Sequence, residues 1–246
     1  MNETQFLKPG IINHLIEETI DLTVLEALQF VSSVFPGKVK FSTAFGREGQ
    51  VLLDTIFRND IDISIFTIDT GRLFQETYEV IDKTRARYKK PIEVYYPKTS
   101  KVQDLTKQKG FHSFYESLDD RRECCFIRKV EQLQRALADT QIWVTGLRAG
   151  QSQNRENFNK VEWDESNQVI KFNPILDWSQ EQVLAYLEEY NVPTNTLFEK
   201  GFGSIGCAPC TRPIEAGEHP RAGRWWWEDS QKECGLHQVK KKVRSA

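Results

Sequence analysis

An α/β fold, doubly wound around a mainly parallel sheet and closed by an irregular C-terminal extension, follows from three features of this 246-residue chain. Short β-branched or apolar runs alternate with segments of helical period through the first two thirds. The turns after those runs carry glycine. Beyond Pro193 the chain becomes rich in Gly, Pro, Arg and Trp and loses its regular period. Strand, helix and strand in succession mark a parallel sheet covered on both faces, whose ligands gather outside the carboxyl ends of the strands.

The elements can be justified in order. Leu22, Leu25, Leu28 and Val31 or Phe30 recur at helical spacing, so residues 22–34 read as a helix that Pro36-Gly37 stops. Residues 39–42 form a short strand entering the turn 42–49, and 50–58 return to helix with Val51, Leu52, Ile56 and Phe57 apolar. The β-branched run 61–68 suits a strand buried on both faces and ends at Asp69-Thr70-Gly71. A helix over 74–88, a strand over 92–96, a helix from about 125 to 137 and a strand over 142–145 follow. The turns 42–49, 69–72 and 146–151 should therefore meet at one crevice. Polar residues 162–168, between 158–161 and 169–172, suggest a hairpin, and Ser179-Gln-Glu-Gln182 is a capping box that opens a helix. With no internal repeat, residues 1–200 form the α/β domain, and 201–246 pack on it and end in a mobile tail whose basic residues 240–246 fray.

Composition excludes several classes. With 39% hydrophobic and 28% charged residues the chain can bury a sizeable core, and a net charge of −2 gives no global case for nucleic acid or anionic membrane as partner. No stretch approaches the roughly 18 apolar residues of a spanning helix, and Met1 to Pro9 lacks the pattern of a secretory signal. The expectation is a soluble, cytoplasmic protein, and a homo-oligomer is compatible with it.

The five cysteines carry most of the chemistry. In a reducing compartment they read as metal-binding or catalytic before structural. Adjacent Cys124 and Cys125 suit a cluster with several metal corners better than a single zinc ion, whose sites use wider Cys spacing. Cys207-Ala-Pro-Cys210 alone is compatible with zinc or with a redox dithiol. Together, two pairs of thiolates favour zinc or iron–sulfur over harder metals. Lys129, four residues after Cys125, shares its helix face and could offset thiolate charge or meet an anionic substrate. Cys234 has Gly235 beside it and His237 nearby, which suits a nucleophile.

Ser42–Gly49 joins a strand to a helix, a junction that suits an anion, although it lacks the Walker A spacing. Arg148 and Arg155 flank Gln151-Ser152, and Arg221 and Arg224 precede Trp225–Trp227. Arginine in such numbers suits phosphate or sulfate oxygens.

These motifs, in this order, resemble the assimilatory adenylyl-sulfate and phosphoadenylyl-sulfate reductases. The resemblance rests on Ser42–Gly49, Asp69-Thr-Gly-Arg-Leu-Phe74, Arg122-Glu-Cys-Cys-Phe-Ile-Arg-Lys129, Thr145-Gly-Leu-Arg148 with Gln151-Ser152, Cys207-Ala-Pro-Cys210, Arg221-Ala-Gly-Arg-Trp225 and Glu233-Cys-Gly-Leu-His237. It implies an adenine-nucleotide α-hydrolase-like fold and reduction of adenylyl sulfate to sulfite and AMP, supplying cysteine biosynthesis. It further implies a 4Fe-4S cluster on Cys124, Cys125, Cys207 and Cys210, and Cys234 as the nucleophile that forms an S-sulfocysteine, later released by a thioredoxin- or glutaredoxin-like reductant. Lys129, Arg221 and Arg224 would offset the oxyanion charge. Ser42, Phe45, Gly46, Ile68, Gly146 and Arg155 would contact the nucleotide. The alternative substrate is the 3′-phosphorylated nucleotide, alone or beside adenylyl sulfate. Where the family's loop often ends in Glu-Asp this chain has Glu48-Gly49, so Gly49 is assigned a backbone role only. An ATP pyrophosphatase would need a Ser-Gly-Gly-x-Asp-Ser loop, which 42–49 lacks.

Overall fold

A computed structural model describes residues 4–151 and 158–228. Six strands form one sheet: β1 (Val39–Ser42), β2 (Ser64–Ile68), β3 (Glu93–Tyr95), β4 (Ile142–Val144), β5 (Val161–Asp164) and β6 (Val169–Phe172), in the order β3-β2-β1-β4-β6-β5. Every neighbouring pair is parallel except β5 with β6. The expected doubly wound, mainly parallel sheet is thus present. After β3 the chain returns to the other side of β1, so the strand order reverses between β1 and β4. That reversal is where such sheets open a ligand crevice.

The helices are α1 (Thr4–Thr19), α2 (Val24–Val34), α3 (Arg47–Arg58), α4 (Gln75–Tyr88), α5 (Thr99–Lys109), α6 (Leu118–Cys125), α7 (Glu131–Ala136) and α8 (Gln180–Glu189). Alternation along the strands sends side chains to two cores. Phe41, Ile65, Val144 and Phe172 pack with Leu15, Leu28, Val31, Leu52 and Ile56 on one face. Phe66, Trp143 and Val169 pack with Leu133 and Ala136 on the other. Each buried Val, Leu, Ile or Phe among them contributes about 1.5–3 kcal/mol.

Capping explains where several elements begin. Thr23 and Glu26 form a reciprocal capping box, so α2 starts at Val24 and Leu22 stays outside it. Ser179 and Gln182 do the same for α8, as the sequence anticipates. Helix α3 starts three residues earlier than its apolar period suggests, at Arg47 with Gly46 as N-cap. Arg47, Glu48 and Gly49 therefore belong to its first turn, whose N–H groups have no intrahelical partners.

Three helices carry little apolar signal. Helix α5 buries only Leu105, and the buried residues of α6 are Arg121, Cys124 and Cys125. Helix α1, which the sequence reading omits, runs through Pro9 and Gly10. The hairpin is real, but Glu162 and Asp164 belong to strand β5 rather than to its turn. They alternate with Val161 and Trp163 on an edge strand.

The helix expected from Cys125 is interrupted. Between α6 and α7 lies a π-helical turn, Phe126–Val130, in which the Glu131 N–H bonds to the Phe126 carbonyl. Such five-residue turns concentrate at functional sites.

Candidate active site

The three glycine-bearing turns do meet. Ser42, Gly46, Glu48 and Gly49 after β1, Ile68 and Thr70 after β2, and Gly146 and Arg148 after β4 line one cavity of about 450 Å³. That volume suits a nucleotide-sized ligand. Gly146 is needed for closure, because a Cβ there would sit 3.3 Å from the Glu48 carbonyl carbon and the Gly49 nitrogen. A Cβ on Gly49 would meet the Thr43 hydroxyl at 2.7 Å.

Phe45 departs from expectation. It does not line the cavity; its ring is buried in the main core, and its backbone sits at φ 56. The left-handed conformation costs a non-glycine residue about 1–2 kcal/mol. Core burial of the ring offsets that strain, and the Phe45 N–H donates to Thr43 Oγ1 at 3.1 Å. Phe45 therefore shapes the loop through its backbone. Ser42 is held from the other side, its hydroxyl accepting from Trp143 Nε1 at 2.8 Å.

Charges in the cavity are divided. Glu48 accepts from Arg148 Nε at 2.9 Å, so Arg148, buried, is a positioning partner of the loop. Arg47, one residue before Glu48, stacks its guanidinium over the Phe198 ring at 4.2 Å and also lines the cavity. Periodicity missed it because it placed the start of α3 too late.

Lys129, Arg221 and Arg224 line the same cavity. The C-terminal segment brings the two arginines there by folding back: Thr211 bridges Arg224, Arg212 N donates to the Gly223 carbonyl at 3.0 Å, and Trp225 N donates to the Cys210 carbonyl at 3.2 Å. Glycines allow the approach. A Cβ on Gly206 would lie 2.2 Å from Arg224 Nη2, and one on Gly223 would lie 2.2 Å from the Arg212 carbonyl oxygen. Arg224 is buried, and its Nε has no hydrogen-bond partner among the described residues. A buried donor left in this way is costly unless a ligand takes it.

A second, smaller cavity adjoins the first. Cys124, Cys125, Cys207 and Cys210 line it, ringed by Arg72, Arg121, Arg128 and Lys129 and capped by Phe114 and Trp225. None of the four cysteines is in a disulfide. Among the described residues no three metal-binding side chains converge as they would around a single ion. Trp225 is buried against two guanidiniums, those of Arg121 and Arg224, each 4.6 Å from its ring.

The Cys-Ala-Pro-Cys turn is fixed by neighbours that sequence reasoning did not single out. Ala208 N donates to the Arg72 carbonyl at 2.8 Å, and the Thr70 hydroxyl lies 3.2 Å from Cys207 Sγ. Arg128 donates to the Thr70 carbonyl at 2.6 Å. Burial would raise the Cys207 thiol, but Lys129, the Thr70 hydroxyl and Arg224 together bring it below its ordinary value. Burial pushes Cys210 up to about 12, helped by neighbouring Cys207, and also raises Cys124 against the pull of Arg128 and Arg72.

Lys129, four residues after Cys125, lines the thiol cavity with it. Its bond is to Cys207, and its charge also acts on Cys124 and Cys210. Cys234 and Arg155, the expected nucleophile and nucleotide contact, lie outside the described residues. No described helix is long and apolar enough to cross a membrane.

Residues 38–213 match a family described as the phosphoadenosine phosphosulfate reductase domain. An adenosine 5′-phosphosulfate reductase of Burkholderia cepacia is 47% identical over 201 residues, covering 81% of this chain and 80% of the relative. Another, from Allochromatium vinosum, is 44% identical over 226 residues, covering 91% of this chain and 88% of the relative. The crystal structure of phosphoadenylyl-sulfate (PAPS) reductase from Candida auris, a phosphate complex, matches with a TM-score of 0.70 at 34% identity, covering 82% of this chain and 96% of that one.

Proposed function

Because the chain belongs to the phosphoadenosine phosphosulfate reductase domain family, we propose that it reduces adenylyl sulfate to sulfite and AMP with electrons from a thiol reductant. The relatives named adenosine 5′-phosphosulfate reductase favour this substrate over its 3′-phosphorylated form. One observation carries the reading: Lys129 and Cys207 line both the nucleotide-sized cavity and the thiol-lined one. An anion seated in the first is thus adjacent to the charges that surround the second.

Ser42, Gly46, Ile68 and Gly146 contact the nucleotide, Arg155 is a further contact proposed from the sequence alone, and Lys129, Arg221 and Arg224 surround the phosphosulfate. Cationic donors aimed at developing charge in a water-poor site are worth several kcal/mol. The Cys234 thiolate attacks the sulfate sulfur. A sulfur–sulfur bond forms as the bridging sulfur–oxygen bond breaks, and its electron pair leaves with AMP. A dithiol then attacks Cys234 Sγ, expelling sulfite with the electron pair of the new bond, and its second thiol releases Cys234. The sulfur is reduced by two electrons and the dithiol is oxidised to a disulfide.

Cys124, Cys125, Cys207 and Cys210 fit a 4Fe-4S cluster. They share one small cavity ringed by three arginines and a lysine, positive charge that suits four thiolates. Bound there, the cluster supplies electrostatic and structural support rather than electrons, since thiols alone balance the reaction. Anaerobically purified protein should contain iron and acid-labile sulfide; zinc without sulfide would end this assignment.

Mass spectrometry of the protein mixed with adenylyl sulfate and no reductant tests the reaction. A sulfonate adduct on Cys234, absent in Cys234→Ser, is expected. An unmodified Cys234 in protein that turns over with reductant present would remove the covalent step.

A further inference from the structure

Next to the thiol-lined cavity the chain keeps aromatic surface in water. Tyr115 stands 6.2 Å from His112, 6.5 Å from Trp226 and 4.4 Å from Trp227, and Trp226 meets Trp227 edge-on at 4.8 Å, centroid to centroid. Phe111, adjoining His112, is 70% exposed, Trp226 42% and Tyr115 39%. Closing the cavity does not require them, because Trp225 and Phe114 already do so. An exposed group of large rings marks an interaction surface more often than a packing residue.

The surface is also held in place. Tyr115 Oη donates to the Pro209 carbonyl at 2.6 Å, within the Cys207–Cys210 turn, and Arg72 donates to the Phe111 carbonyl at 2.5 Å. Glu228, two residues past Trp226, accepts two bonds from buried Arg121, at 2.7 and 3.2 Å. Rigid aromatic anchors lose little conformational entropy on association, which is why Trp and Tyr dominate interface energetics.

Position decides the occupant. Cys234 is six residues beyond Glu228, and six extended residues span at most about 20 Å. Whatever exchanges thiols with Cys234 must therefore approach within that radius of Glu228, and the aromatic surface begins beside it. We propose that Phe111, Tyr115 and Trp226 form the docking surface for the dithiol protein that releases sulfite from Cys234. The inference rests on the reading of Cys234 as the sulfur-bearing nucleophile.

A Phe111→Ser/Trp226→Ser double variant tests it, since both side chains are exposed and neither lines a described cavity. Turnover of adenylyl sulfate is measured with thioredoxin as the protein dithiol and with dithiothreitol as a reductant too small to need docking. The kcat/KM for thioredoxin should fall at least about tenfold while dithiothreitol-driven turnover stays within about twofold. Undiminished thioredoxin dependence, or an equal fall with both reductants, would overturn the proposal. So would a loss of oligomeric mass in the variant by light scattering, which would make a second copy of this chain the occupant. If the unaltered protein shows no turnover even with dithiothreitol, the proposed reaction fails, and this inference with it.

Discussion

The two adjoining cavities are built by different means. The larger stands on regular backbone: strand ends, glycine turns and the first turn of α3. The smaller stands on a π turn, a Cys-Ala-Pro-Cys turn and a ring of buried or half-buried cations, two of which, Arg121 and Arg128, are charged residues where a core residue would be usual. The larger cavity is thus a property of the α/β topology, whereas the smaller depends on side chains that the topology does not supply. Lys129 is common to both.

That division can be broken most decisively at Lys129. Lys129→Ala should lower kcat/KM by about 10²–10³, the scale of removing one charge-stabilising donor from an active site, and Lys129→Arg should recover part of it. If AMP affinity alone fell, Lys129 would belong to the nucleotide cavity only; if iron content alone fell, to the thiol cavity only.

A smaller effect is expected at Gly206. A methyl group there would press on Arg224 Nη2 at 2.2 Å, and the flexible guanidinium would yield rather than the backbone. Gly206→Ala should reduce kcat/KM about tenfold through one lost charge-assisted contact, with thermal stability nearly unchanged. On the nucleotide side, Gly146→Ala meets backbone at 3.3 Å. It should raise the Kd for AMP about threefold and leave the sulfur step intact, a modest misplacement of the loop. Iron loss in Gly146→Ala would show that the two cavities are less separable than their construction suggests.

The smallest effect concerns the segment that carries Arg221. Arg212 donates to both Glu218 oxygens at 2.8 and 2.9 Å, and this pairing, with the Glu215 N–H, holds the Glu218 carboxyl down to about 2. A depressed carboxyl stabilises the fold above its ordinary value of 4.5, and the contribution is lost as pH falls through about 2. An NMR titration should find that midpoint, and Arg212→Gln should return it toward 4.5. An unshifted midpoint in the unaltered protein would remove the pairing as a restraint on the loop.

The same contrast explains what could be read in advance. Val39–Ser42, 61–68 and 142–145 announce themselves by local composition, and glycine marks their turns, so the meeting of those turns at one crevice was legible from the chain alone. The four cysteines were legible as chemistry but not as geometry. Helix α6 presents Arg121, Cys124 and Cys125 to the interior, a pattern that hydropathy reads as surface. Arg72 and Arg128 stand inside recognisable motifs, but nothing in their local pattern places them at the edge of the thiol cavity. The burial of the Phe45 ring in the core was not legible, because it follows from a left-handed backbone at a loop position. Thr70 gave no signal beyond its motif, since its bond to Cys207 spans 137 positions.

One detail of the backbone accounts for how the two constructions coexist on a single stretch of chain. A residue added to a helix turns everything after it by roughly 100° about the axis. The five-residue turn at Phe126–Val130 acts as such an insertion, a phase shifter between two gears with different teeth. Upstream of it the helix keeps Cys124 and Cys125 on the cavity that Cys207 and Cys210 line; downstream, Leu133 and Ala136 keep step with the sheet. Deleting a single residue from that turn would leave a smoother helix and put one of the two out of register.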